Sequence, residues 1–88
     1  MRTILIRIAA DQSEEFSRIH RLRNYGEDVY RYIRDNGKGM GEVHLDEVDS
    51  ATTQFFVQGV ANSKVRRLCQ WLEEEAARQN LQVKTEVR

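Results

Sequence analysis

Read for the spacing of its apolar residues, the chain alternates at period two, then repeats at three and four. It returns to period two twice, repeats again at three and four, and closes at period two, leaving almost none of its 88 residues over. That order of elements, strand–helix–strand–strand–helix–strand, has few compact solutions, because connections are short and crossovers right-handed. Residues 1–88 are therefore expected to form one domain; a second core would not fit in a chain of this length.

The first strand is read from Thr3 to Ala9, with Ile4, Ile6 and Ile8 on one side and Thr3, Leu5 and Arg7 on the other. Asp11 or Ser13 is placed to cap a helix carrying Phe16, Ile19, Leu22, Tyr25, Val29, Tyr32 and Ile33 on one stripe. Taken from Gln12 to Asp35, that helix would be about 36 Å long, against about 26 Å for an eight-residue strand. It therefore overshoots the sheet or breaks, and Gly26 is either the break or a point of close approach. Asn36-Gly37-Lys38-Gly39-Met40-Gly41 stops the helix in a flexible turn.

Glu42–Asp49 reads as an edge strand with an irregularity near Asp46, and Asp49-Ser50 turns it into a strand from Ala51 to Gln58. Gly59-Val60-Ala61 leads to a helix capped by Asn62 or Ser63, with Val65, Leu68, Cys69, Leu72 and Ala76 as its buried stripe. Asn80 suits the left-handed position after that helix, and the alternation of Leu81, Val83, Thr85 and Val87 closes the chain as a strand. On this element order the chain resembles the ferredoxin-like α/β plait, an α+β fold of βαββαβ order. The resemblance implies a four-stranded antiparallel sheet with both helices on one face.

The other face of such a sheet is uncovered. Its centre would hold Leu5, Arg7 and one of Phe55 and Phe56, with Glu42, His44 and Asp46 towards one edge and Lys84, Glu86 and Arg88 towards the other. A face that is apolar at its centre and polar at its rim is an interface pattern. Leu5, Arg7, Phe55 and Phe56 are accordingly the candidate interface residues.

Chemistry is harder to find. The RNA-recognition motif is a plait that stacks bases on aromatics of its first and third strands. Here the first strand offers only isoleucines and Leu5, and Thr52-Thr53-Gln54-Phe55-Phe56 replaces the expected basic and glycine-rich run. Val57-Gln58-Gly59-Val60 resembles a fragment of the acylphosphatase signature, which implies a phosphate-binding loop and a hydrolase. The fragment follows the third strand instead of the first, and Asn62-Ser63-Lys64 stands where Phe-Arg is expected. Lys64, Arg66 and Arg67 crowd the first turn of the second helix against its dipole, so Asn62, Ser63, Lys64, Arg66 and Arg67 form the candidate anion-binding set. The arginines of the first helix are interlaced with Glu14, Glu27 and Asp35 and read as a solvated face.

Fourteen basic and fourteen acidic side chains cancel, which argues against nucleic acid as the main partner. Cys69 is alone, so no internal disulfide forms, and within its stripe it reads as a small core residue. No His-x-x-x-His spacing, catalytic triad or cofactor fingerprint is present, so no catalytic residue, metal or cofactor is expected. No apolar run approaches the ~20 residues of a membrane span. The expectation is a small, non-enzymatic, cytoplasmic interaction domain that binds a protein partner or forms a homodimer through the open sheet face or an edge strand. The alternative is an anion- or nucleic-acid-binding domain using the basic helix start, and a hydrolase of the acylphosphatase kind is the third reading.

Overall fold

Strand β1, Arg2–Ile8, buries Ile4, Ile6 and Ile8 against the helices, and its alternation carries the rest of the architecture. The computed structural model describes residues 1–9, 15–45 and 54–88. The elements run β1, α1 (Glu15–Asp35), β2 (Glu42–His44), β3 (Gln54–Val60), a 3-10 turn (Asn62–Lys64), α2 (Val65–Arg78) and β4 (Val83–Val87). Among the described residues the sheet is four-stranded and antiparallel in the order β2-β3-β1-β4. The chain thus has the α+β architecture and strand order of the ferredoxin-like plait. The expected bulge at Asp46, the turn at Asp49-Ser50 and the caps Asp11 and Ser13 lie outside the described residues.

Helix α1 is continuous through Gly26, so the glycine is a point of close approach and not a break. A Cβ there would lie 2.8 Å from Leu45 Cδ2, on the segment that follows β2. Tyr25, fully buried, meets Phe55 edge-on at 5.9 Å and donates its hydroxyl to the Leu72 carbonyl at 2.7 Å. Helix α2 buries Leu68, Leu72 and Ala76 as expected. It ends in a Schellman arrangement: Asn80 has φ +57, its N–H bonds the Ala77 carbonyl, and the Leu81 N–H reaches back to Ala76.

Four local expectations need correction. Strand β3 runs on to Val60, because Gly59 is a bulge inside the strand and not the start of a loop. The register with β1 passes from Ile4↔Val57 to Arg2↔Val60, so one extra residue is absorbed at Gly59, whose φ of +74 a side chain rarely adopts. The slip turns Val60 back to the core, so that Phe55, Val57 and Val60 are all buried.

The glycine-rich segment after α1 is likewise anchored in the core. Met40 is fully buried, and Gly41, at φ +94, packs so tightly that a Cβ would sit 2.7 Å from Val57 Cγ1 and 2.8 Å from Gln58 O. Neither Asn62 nor Ser63 caps: the 3-10 turn starts after Ala61 and α2 after Lys64, both without a side-chain cap bond. Lastly, α1 is not an evenly solvated charged face, because Arg18 is only 8% exposed and Arg21 donates to the Asn80 carbonyl at 2.7 Å.

Two substitutions test this packing by chemical denaturation. Leu72→Ala is expected to cost about 2–5 kcal/mol, as truncation of a fully buried leucine does. Gly41→Ala should exceed the roughly 1–2 kcal/mol of a left-handed backbone alone, because its new methyl has nowhere to go. An unchanged midpoint for either would show that the core is not packed this way.

Candidate functional site

The open face of the sheet is laid out by the strand register in rows that run across the strands. In the middle row His44 on β2 pairs with Phe56 on β3, Phe56 with Leu5 on β1, and Leu5 with Glu86 on β4. One step along, Gln54, Arg7 and Lys84 form a second row. One step the other way, Glu42 pairs with Gln58, while Thr3 and Arg88 exchange backbone hydrogen bonds. Alternation puts all these side chains opposite the helices.

The centre of this face is apolar. Phe56 is 38% exposed and stacks on the His44 ring at 4.9 Å and an interplanar angle of 15°. Leu5, although on the uncovered side, is only 7% exposed between its cross-strand neighbours Phe56 and Glu86. His44 Nε2 is buried with no hydrogen-bond partner among the described residues. Around this strip lie exposed charges: Glu86 forms ion pairs with Arg7 at 3.3 Å and with Arg88 at 3.4 Å. Such exposed pairs are individually worth little and can be exchanged for others.

Of the four residues expected at the interface, Leu5, Arg7 and Phe56 are brought together here. Phe55 is not; it is 3% exposed on the helix side beneath Tyr25. The reason is the alternation of β3, which cannot place adjacent residues on one face.

The helix start is looser. Asn62, Ser63, Arg66 and Arg67 are exposed and Lys64 is half-buried. Arg67 donates to the Asn36 side chain at 2.9 Å, tying the start of α2 to the end of α1. The Lys64 N–H is used by the Ala61 carbonyl.

A third cluster escaped sequence reading. Between α1 and α2 lies an open groove of about 280 Å³ whose walls include Asp28, Arg31, Glu75 and the stacked pair Tyr32 and Trp71, 4.0 Å apart. Trp71 is thus half-buried packing, as its position beside the stripe implies. Glu75 is held by Arg78 at 2.8 Å; Asp28 takes Gln79 at 3.1 Å and Arg31 at 3.5 Å. Burial, followed by the hydrogen bond and charge of Glu75, raises the Asp28 carboxyl above its ordinary range. Glu75 is also desolvated, but hydrogen bonds from Arg78 and Asp28 and the Arg78 charge outweigh this and leave it below the ordinary range. The available signal was spacing: Glu75 lies three residues after Leu72, and Asp28 three after Tyr25.

Burial likewise pushes the Cys69 thiol up, which disfavours the nucleophilic thiolate. Among the described residues no three His, Cys, Asp or Glu side chains converge so as to hold a metal ion; Asp46 lies outside them. No described helix is long and apolar enough to cross a membrane. The sequence matches no family model and no curated protein.

The carboxyl pair sets a pH test. A raised Asp28 contributes stability that is present below the ordinary Asp range and lost as pH rises through its folded value. Glu75 contributes with the opposite sign, its share being lost as pH falls through its depressed value. Asp28→Asn, which imitates the protonated acid, should melt higher than wild type at neutral pH, and the gap should close as pH falls into the ordinary carboxylate range. A variant that melts lower at neutral pH would mean that Arg31 and Gln79 outweigh the repulsion from Glu75.

Proposed function

We propose that this chain is a small interaction domain that binds a polypeptide through the open sheet face, and that the polypeptide is a second copy of the chain. Supporting the reading is one observation above the others: a phenylalanine 38% exposed in the middle row of a sheet face that no described helix covers, stacked on His44 and adjoining Leu5. An aromatic side chain there keeps apolar surface in water that a facing partner would remove, and aromatics are the usual anchors of protein interfaces. The charged rim of Arg7, Lys84, Glu86 and Arg88 suits the solvated border of such a contact. The fold itself contributes nothing to the reading, since plaits serve many functions.

Light scattering at micromolar concentration is expected to give about twice the 10.3 kDa chain mass. Phe56→Asp should return the mass to that of one chain while leaving the circular-dichroism spectrum and the melting midpoint close to wild type. A wild-type monomer at hundreds of micromolar would overturn self-association. A dimer indifferent to Phe56→Asp would move the contact from the face to an edge strand.

A further inference from the structure

The rows of the open face have a property that pairing by hydrophobicity alone would not require: they are charge-complementary to themselves. Across the sheet, β2 carries Glu42 and His44, while β4 carries Arg88 and Glu86 in the matching rows. Consider two copies face to face, about 10 Å apart as stacked sheets are, and related by a two-fold axis parallel to the strands between β1 and β3. That operation keeps each row at its own height and exchanges β2 with β4 and β3 with β1. Glu42 then faces Arg88 of the second copy, and Phe56 faces the second copy's Leu5. His44 faces the second copy's Glu86, and Gln54 faces its Arg7. Every one of these contacts occurs twice.

A two-fold axis running across the strands through the middle row is another way to stack the same faces. It would set Arg88 over Lys84 of the second copy and Glu86 over the second copy's Glu86. Like charges placed opposite one another act against a pairing as strongly as opposite charges favour it. Electrostatics therefore favours the first arrangement over this one.

Resting on the self-association reading above, we infer that the chain forms a face-to-face homodimer about an axis parallel to its strands, registered by reciprocal Glu42–Arg88 pairs around a Phe56–Leu5 centre. The face is only about 19 Å across four strands and about 24 Å along seven residues. This small area lies at the low end for a specific interface, so the dimer dissociates on dilution. The residues that register it are exposed in one chain, and Arg88 can exchange its long contact with Glu86 for the facing Glu42.

The test uses the symmetry. In Glu42→Lys the new lysine faces Arg88 of the second copy, and in Arg88→Glu two acids face each other. Each variant alone is expected to dimerise at least about tenfold more weakly than wild type, since both copies of an attractive pair become repulsive. Mixed in equal amounts, the two variants restore one attractive pair of each polarity, so the mixture should recover wild-type affinity by sedimentation equilibrium. Higher salt should weaken the wild-type dimer and lessen the penalty of the variants. Unchanged melting midpoints verify that both variants fold. A dimeric wild type whose single variants are unaffected, or whose mixture fails to recover, would overturn this pairing while leaving self-association intact. A monomeric wild type would overturn both.

Discussion

One side chain joins all the layers of this molecule. Tyr25, on α1, lies edge-on against Phe55 of the sheet and donates its hydroxyl to the Leu72 carbonyl of α2, with no exposure to solvent. A buried phenol must find an acceptor, and a helix carbonyl offers a spare lone pair; the bond therefore fixes how α1 and α2 lie relative to one another. Burial and the charges of Glu75 and Glu73 hold the phenol protonated, so the link is a permanent donor. Much of the remaining core, including Ile4, Ile6, Val57, Leu68 and Leu72, fills space around this contact.

Placing both helices on one side divides the sheet into two chemically different faces. The inner face is isoleucine, valine and phenylalanine apart from Thr85 on β4; the outer is polar except for Leu5, Phe56 and the His44 ring. The division survives along β3 only because Gly59 inserts an extra residue and brings Val60 back inward. Gly41 serves the same end from the other side, letting the chain pass within contact distance of Val57 and Val60 where any Cβ would clash. Two glycines thus keep the core closed, and the polar residues of the outer face remain available for another molecule.

Charge is distributed with a similar division of labour. The carboxylates Asp28 and Glu75 are drawn into the helix–helix groove and compensated there by Arg31, Arg78 and Gln79. Those charges are taken up within the fold. On the sheet face, among the described residues, Arg7, Glu86 and Arg88 form long, exposed contacts, which can be re-paired at little cost. A neutral chain can in this way carry an electrostatically patterned surface without a net field.

Element order, the inward face of β1, the buried stripe of α2 and the left-handed Asn80 were all legible in the chain alone, because each follows from a local period or a single backbone preference. The pattern also narrowed the exposed aromatic to Phe55 or Phe56, since neighbours on a strand must face opposite ways. Which of the two pointed outward depended on the register of β3 against β1, a contact between residues some fifty positions apart. Tertiary structure alone likewise decided that Gly59 is a bulge, that Met40 belongs to the core, that Glu75 is paired with Arg78 inside a groove, and that Glu42 and Arg88 end on one row of the sheet. None of these is a property of a residue and its near neighbours. Each arises when segments distant in sequence are packed to contact distance, where one extra residue reverses which way a side chain points and burial decides which charges must be paired.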